Sequence, residues 1–517
     1  MRKSTLAILV AAAASSAVAA TDYSGTVKAG YTYTDLEGNL GVNQGTFNLY
    51  DGATLSLDNF LARWDNGLRF NADLYNLTLD NRRLRLGLTK PGLMGISFNH
   101  AAYRRYFDFN GDVATKRYLT DGRVWWQAHK ALRLYGDIGF NNLNGVFSPL
   151  FNTTGGSLFN LVDYANTRYG FGVTYRQDRR IATAEYRGSA FTDDLSGLND
   201  RATRRLRVSF ATPIPSYEQV IVNGGYQHFR VAIEDRADSL QAKTLWGGAK
   251  WFIGDGYSVR YGFLFDRARR TGDVVETDNL AHALYAGKVW LGKAGLTAGY
   301  QRKYNDDILV ERSGSNWTVS AWAKPWAFLT LDAGHGSDRM EVDEGQTLTG
   351  KRERNGGWAS AKITHKTNWL RLKVAGRSTE YEEIGTEAEY TRYAADAWID
   401  VSKWGQLSGA YSYSDGTYEN TSGQFEFAEH VVSGDLTSRE YHRVTVGFGG
   451  TYVRSRKDTN VEAFWLRTAG RYVHDNGLGL ELVYSTHNYD NFADPHPIYI
   501  EYYTDNVVEI NLTYNLK

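Results

Sequence analysis

The chain has 517 residues with 58 basic and 58 acidic side chains, 53 glycines, 7 prolines and no cysteine. The lack of cysteine excludes disulfides, iron–sulfur clusters held by thiolates, covalently attached c-type haem and a thiol nucleophile. The balanced charge argues against a nucleic-acid partner, because such partners are bound through an excess of basic side chains. Any cofactor chemistry would therefore depend on other residue types.

Residues 1–20 have the composition of a signal peptide. Arg2 and Lys3 give a positive start, Leu6–Val10 and the alanines after them form a short apolar core, and Ala17–Ala19 offers small residues for cleavage. The apolar core is too short to cross a bilayer as a helix, and no later stretch of about 18 apolar residues follows. The sequence predicts an exported protein with one mature domain, residues 21–517.

A period of two runs through the mature chain. One face of the segment 168–176 carries Tyr169, Phe171, Val173 and Tyr175, and the other carries Arg168, Gly170, Gly172, Thr174 and Arg176. The pattern recurs in 182–187, 205–210, 259–266 and 444–452. Successive side chains of a strand point to opposite faces, so these segments predict strands with one apolar and one polar face.

The arrangement of turns and loops favours a membrane barrel. Tight turns are expected at 177–180, 212–216, 253–256 and 291–293, and longer polar loops at 193–200 and 337–357. A soluble sandwich of this length would divide into domains, whereas this pattern is uniform. Clusters of tryptophan suggest aromatic belts at the two membrane interfaces. We therefore expect an all-β fold, a large transmembrane antiparallel up-and-down β-barrel of roughly 22–26 strands in the bacterial outer membrane.

Charged residues inside the strands are expected to face a water-filled lumen, because charge facing lipid is costly. The candidate lumen-facing residues are Arg168, Arg176, Glu185, Arg187, Arg205, Arg207, Arg260, Arg371, Lys373 and Arg443. The strand pattern begins near Thr26, so no N-terminal plug domain is expected, which disfavours an energised receptor with its own plug. Either inward-folded loops or another protein would fill so wide a barrel.

No catalytic, cofactor-binding or metal-binding constellation stands out. The eleven histidines are scattered, the acidic stretch from Asp338 to Glu344 lacks defined ligand spacing, and no nucleophile elbow occurs. The protein is therefore not expected to be an enzyme. The polar lumen itself is compatible with a docking wall for a protein or with a channel lining.

Three segments resemble a known family. The segment 67–109 reads GLRFNADLYNLTLDNRRLRLGLTKPGLMGISFNHAAYRRYFDF, the hairpin 207–227 reads RVSFATPIPSYEQVIVNGGYQ, and the chain closes with NVVEINLTYNLK. They resemble the porin–cytochrome barrels of the outer membrane (MtrB/PioB type).

The resemblance implies a sheath that holds and insulates a multihaem c-type cytochrome for electron transfer across the outer membrane. Periplasmic and cell-surface multihaem cytochromes would be the partners, and haem would be bound only by them. The alternative is a porin for diffusion or selective passage of small polar solutes.

Overall fold

The structure is a computed structural model that describes most of the mature chain. The described residues are 22–38, 50–106, 114–147, 160–195, 200–233, 238–271, 275–307, 311–342, 350–381, 385–401, 403–491 and 502–516. The predicted signal peptide, residues 1–20, lies outside them, so the division into a signal peptide and a single barrel stays a prediction. No helix among these residues is long and apolar enough to cross a membrane.

The described residues form one sheet of 26 strands. In chain order the strands are β1 (Asp22–Gly38), β2 (Gly52–Arg63), β3 (Arg69–Tyr75), β4 (Arg83–Lys90), β5 (Met94–Tyr106), β6 (Ala114–His129), β7 (Leu132–Phe147), β8 (Asn160–Gln177), β9 (Arg180–Asp193), β10 (Arg201–Ile214), β11 (Tyr217–Ile233), β12 (Asp238–Gly254), β13 (Tyr257–Thr271), β14 (Val275–Trp290), β15 (Ala294–Asp307), β16 (Glu311–Trp326), β17 (Leu329–Val342), β18 (Lys351–His365), β19 (Asn368–Tyr381), β20 (Thr386–Asp400), β21 (Gly405–Asn420), β22 (Gly423–Ser438), β23 (Val444–Lys457), β24 (Val461–Val473), β25 (Leu478–Asn491) and β26 (Tyr502–Leu516).

The sheet closes on itself. Each strand pairs antiparallel with the next, and β1 pairs with β26 from Gly25 opposite Leu516 to Gly38 opposite Tyr503. The prediction of an all-β, up-and-down barrel is confirmed, at the upper end of the predicted strand number. Strands ~4.8 Å apart and tilted by about 40° give a backbone diameter of roughly 50 Å.

The longest connections lie at one end of the barrel, and the turns at the other end are short. The turn residues Asp178, Asp255 and Leu291 adopt positive φ angles of 51°, 45° and 48°, as tight hairpins require. The four predicted turns are confirmed. The predicted loop 337–357 is too long, because β17 runs to Val342 and β18 starts at Lys351. Many strands extend beyond the bilayer there, so polar residues on both faces do not mark a loop.

The outward face carries a band of exposed apolar side chains. Phe171, Leu284 and Leu512 are 61%, 52% and 55% exposed, as expected for residues that meet lipid. Most strands have 13–18 residues, more than the roughly 9–11 that cross a bilayer. The band therefore covers part of the barrel height, and polar segments extend past it.

The best-packed apolar cluster lies on the outward face of β2–β4. It contains Phe60, Ala62, Ala72, Leu74 and Leu84, and the last is fully buried. Leu57, which packs against this cluster, pairs with Val27 on the side opposite Lys28. The packed apolar residues therefore belong to the outer side of the wall.

The aromatic belt is only partly as expected. Trp126 and Trp290 are outward-facing and exposed near strand ends. The cross-strand register instead places Trp125, Trp322 and Trp358 on the lumen face. Sequence position near a strand end did not distinguish these two environments, because one residue of register moves a ring from lipid to lumen.

Candidate functional site: the barrel lumen

The cross-strand register identifies the face of each predicted site residue, because directly opposed residues share a face. The face opposite the apolar band lines the lumen. Eight candidates lie on this face along the wall: Arg168, Glu185, Arg187, Arg205, Arg207, Arg260, Arg371 and Lys373. Arg176 shares the face at the short-turn end of β8. Arg443 lies in the turn before β23, where it pairs with Asp475, so it is not part of the wall.

Ion pairs link the lumen side chains of β6–β10. Arg168 Nη2 lies 2.7 Å from Asp121 Oδ1. Glu185 accepts hydrogen bonds from two arginines, from Arg187 Nη2 at 3.1 Å and from Arg205 Nη2 at 3.2 Å. Most of these side chains are more than a third exposed, so they retain contact with water. A network of this kind fixes the side chains in place without neutralising all of the positive charge.

Basic residues outnumber acidic ones on the lumen face of β6–β13, which we call the basic arc. Its basic members are Arg117, Arg123, Arg133, Arg168, Arg176, Arg187, Arg201, Arg205, Arg207, Lys250, Arg260 and Arg270, and its acidic members are Asp121, Asp137, Glu185, Asp193 and Asp266. Arg207 and Arg260 have no ion pair with a described residue. A surface of this kind raises the local concentration of anions.

A second basic group lines the lumen at β19–β21. Arg371 Nε lies 2.9 Å from Asp396 Oδ1, and Arg392 Nη2 donates to Ser412 Oγ at 3.4 Å. Together with Lys373 they line one concave site on the wall. The predicted residues Arg371 and Lys373 are thus brought together, on a part of the wall that is separate from the basic arc.

Aromatic rings in the lumen lie against glycines of the neighbouring strand. A Cβ on Gly172 would lie 2.5 Å from the Tyr135 ring, and one on Gly416 would lie 2.5 Å from the Phe427 ring. The same direct pairing joins Trp125 to Gly95, Trp246 to Gly225, Trp322 to Gly295, Tyr285 to Gly299 and Trp358 to Gly334. Glycine lets each ring lie along the wall rather than across the lumen. The sequence analysis missed these pairs, because they depend on register.

Cations accompany several of these rings. The guanidinium of Arg207 lies 5.2 Å from the Trp246 ring centre, and that of Arg133 lies 4.2 Å from the Trp125 ring centre. Contacts at this distance are attractive because the ring face is electronegative. The basic arc therefore offers flat aromatic surfaces beside positive charge.

The wall on both sides of the closure is different. We call the lumen face of β24–β26, β1 and β2 the seam wall. Lys28 Nζ lies 2.9 Å from Asp58 Oδ2 and 2.9 Å from Glu481 Oε2, and Arg471 Nη2 donates to Asn515 Oδ1 at 2.7 Å. Lys28, Asp58 and Glu481 are paired and at most 27% exposed, so this part of the seam wall has little free charge to offer a solute.

A buried carboxylate extends this network along the seam wall. Asp505 is fully buried, 2.8 Å from His487 Nδ1, and it accepts from the Tyr503 hydroxyl. Trp465 stacks on His487. Among the residues that the structure describes, no group of three or more His, Asp or Glu could hold a metal ion. Asp338 of the acidic stretch lies in β17 and binds Lys303 at 3.0 Å.

This chain is similar to known proteins only in its fold. No protein-family model matches the sequence, and no curated protein matches it either. Solved structures do match. The siderophore receptor PirA from Pseudomonas aeruginosa is 10% identical, with 82% of this chain and 80% of the receptor covered and a TM-score of 0.52.

Two further matches are of the same kind. The ferric-catecholate import receptor Fiu from E. coli K12 is 10% identical, with 96% of this chain and 82% of the receptor covered and a TM-score of 0.51. The FrpB iron transporter from Neisseria meningitidis is also 10% identical, with the same coverages and TM-score. At this identity the likeness concerns the fold.

These matches correct the expectations drawn from the family resemblance. The matched proteins are transport receptors for iron compounds, so the porin–cytochrome resemblance, the sheath function and the multihaem cytochrome partners are wrong. The alternative of a diffusion porin for small polar solutes is not supported either. The outer-membrane location is confirmed. This chain is a bacterial outer-membrane protein whose closed 26-strand barrel resembles large import receptors in fold.

Proposed function

We propose that the chain imports a bulky, anionic metal chelate of the iron-chelate class across the outer membrane, and that it is not an enzyme. The fold supports a transport role, because the matched structures are named as siderophore or ferric-catecholate receptors and as an iron transporter. The roughly 50 Å backbone diameter leaves room for solutes far larger than simple nutrients.

The basic arc is the observation that supports an anionic substrate. Arg207 and Arg260 face the lumen with no ion pair to a described residue. The rings of Trp246 and Tyr285 are held flat against glycines and supply apolar surface beside these cations, because Trp246 lies 5.2 Å from Arg207 and Tyr285 directly opposes Arg260. An iron complex with planar aromatic arms and net negative charge matches both features.

A binding experiment tests the proposal. The purified barrel in detergent would be titrated with the ferric complex of a tris-catechol chelator, which is trianionic, and with a neutral ferric tris-hydroxamate complex. We expect tighter binding of the anionic complex, with an affinity that falls as salt is raised. The double substitution Arg207→Gln/Arg260→Gln should weaken anionic binding about tenfold or more, because each site loses a charge.

Arg443→Gln provides the matched control, because this arginine lies in a turn and pairs with Asp475. It should leave the affinity unchanged. Equal binding of both complexes, or no binding of either, would rule out the proposed substrate class. Uptake of radioactive iron by cells that express each variant should follow the same order.

Two further parts of the proposal concern the chain itself. Residues 1–20 act as a signal peptide, and residues 21–517 form the mature barrel without a cofactor of its own. The small residues at Ala17–Ala19 support cleavage there. N-terminal sequencing of the protein isolated from outer membranes should find a start at Ala20 or Thr21. A retained Met1 would contradict this.

A further inference from the structure

The outer wall of β10–β13 carries positive charge immediately beyond the apolar band. The uppermost continuous apolar row there is Val208, Tyr226, Leu245 and Phe265, which are paired across four strands. The next row toward the longer connections contains His228, Lys243 and Arg267, and the row beyond it contains Arg204, Arg230 and Arg269. We call Arg204, Arg230 and Lys243 the outer basic patch.

The members of the outer basic patch are exposed and unpaired. Arg204, Arg230 and Lys243 are each exposed, and none forms an ion pair with a residue that the structure describes. Arg267 beside them differs, because it lies 2.6 Å from Asp278 and 3.3 Å from Glu276. The patch therefore combines closely spaced cations that no described acidic residue neutralises through an ion pair.

The same level of the outer wall is acidic elsewhere. From β16 to β24 the outward residues near the longer connections include Glu311, Glu341, Glu353, Glu380, Glu387, Glu389, Asp415, Glu419, Glu426 and Glu462. Several outward cations there are paired, as in Arg339 with Glu341, Lys351 with Glu353, and Arg454 with Glu462. If the membrane interface simply required basic residues, they would occur all around the barrel at this level and not only at the outer basic patch.

We propose that the outer basic patch binds the phosphate groups of a phosphorylated lipid in the outer leaflet. Longer connections mark the cell-surface end of an outer-membrane barrel, so the patch lies at the level of the outer-leaflet headgroups. Arginine binds phosphate through paired N–H groups, and lysine adds a mobile point charge. The apolar row below, with Tyr226 and Phe265, contacts the acyl chains of the same lipid.

Lipid retention tests this inference. The triple substitution Arg204→Gln/Arg230→Gln/Lys243→Gln removes the charge and keeps much of each side chain. The matched control is Arg339→Gln/Lys351→Gln/Arg454→Gln, at the same level of the wall but on paired cations. Heat-modifiable migration in gels and circular dichroism would establish that both variants form barrels.

Each barrel would be incubated in detergent with bis-phosphorylated lipid A and separated from free lipid, and phosphorus per barrel would be measured. We expect retention at least fivefold lower for the patch variant than for the wild type, and within twofold of the wild type for the control variant. Equal retention by both variants would overturn the proposal.

Two further retention measurements identify the source of the phosphate. Excess inorganic phosphate should leave lipid retention unchanged, because the acyl chains contribute to binding. Dephosphorylated lipid A should be retained poorly by every variant. Displacement by inorganic phosphate, or full retention of the dephosphorylated lipid, would overturn the assignment to a phosphorylated lipid. Lipid retention does not depend on what the lumen transports, so this test can fail independently of the proposed function.

Discussion

Two walls of the same lumen obey the same alternation of residues and differ in what their charges do. On the seam wall, Lys28 is 20% exposed and bonded to two carboxylates, and Asp505 has no exposed side-chain surface. On the basic arc, Arg168 is 53% exposed, and Arg207 lies 5.2 Å from the Trp246 ring and forms no ion pair with Glu185, which directly opposes it. Charge in a barrel wall thus serves either closure or solute contact, depending on how far it is paired and buried.

The seam wall closes the barrel between residues that are far apart in sequence. Lys28 of β1 meets Glu481 of β25, 453 positions later. β1 can pair with β26 only after β26 has been made. The paired side chains of the seam wall have low exposure. Loss of one partner there leaves the other charge poorly solvated, which destabilises the closed barrel.

A large effect on stability is expected for Lys28→Met on the seam wall. The substitution leaves Asp58 and Glu481 without their shared cation at 2.9 Å. Breaking a fully buried pair costs about 3–5 kcal/mol, and the partial exposure here reduces the expected loss to about 2 kcal/mol. Urea unfolding of the barrel in lipid vesicles, followed by tryptophan emission, would measure it.

Lys373→Met is the matched control, because Lys373 lies on the lumen face at β19 with no acid bound to it among the described residues. It should change the free energy of unfolding by less than about 0.5 kcal/mol. Similar losses for the two substitutions would show that the two walls do not differ in the way proposed.

Much of the fold follows from the sequence, because the period of two and the tight turns are local properties. The alternation in 168–176 separates Arg168 from Tyr169, as the pairing of β7 with β8 does, and 26 strands fall within the predicted range. Arg443 was predicted to lie in a strand because polar and apolar residues alternate around it. In the structure it lies in the turn between β22 and β23. Alternation alone cannot locate the end of a strand.

The functional inference failed for a related physical reason. A diffuse resemblance of hairpins such as 207–227 reports alternation and turn chemistry, which any large membrane barrel shares. It therefore carries little information on what the lumen contains. The pairing of Trp246 with Gly225, the free charge of Arg207 and the closure at Lys28 all depend on register between distant strands, which single-sequence patterns do not specify.

A glycine substitution sharpens the comparison within the basic arc. A Cβ added at Gly225 would lie 2.6 Å from the Val208 carbonyl oxygen and would overlap the Trp246 ring. Gly225→Ala should destabilise the barrel by about 1–3 kcal/mol, because the ring must leave the wall. It should also shift the tryptophan emission. Gly262→Ala on the neighbouring lumen face, where the nearest atom would be 3.8 Å away, should change stability by less than about 1 kcal/mol.

The smallest effect is expected for the ion pair between Arg168 and Asp121. Its atoms are 2.7 Å apart, but the side chains are 53% and 47% exposed to the lumen. Water and salt screen such a pair, so a double-mutant cycle of Arg168→Gln and Asp121→Asn should give a coupling energy of about 0.2–1 kcal/mol. The coupling should decrease further between 50 mM and 500 mM salt. A coupling as large as the loss at Lys28 would mean that the basic arc is as dry as the seam wall, and a solute would then have no open cations to meet there.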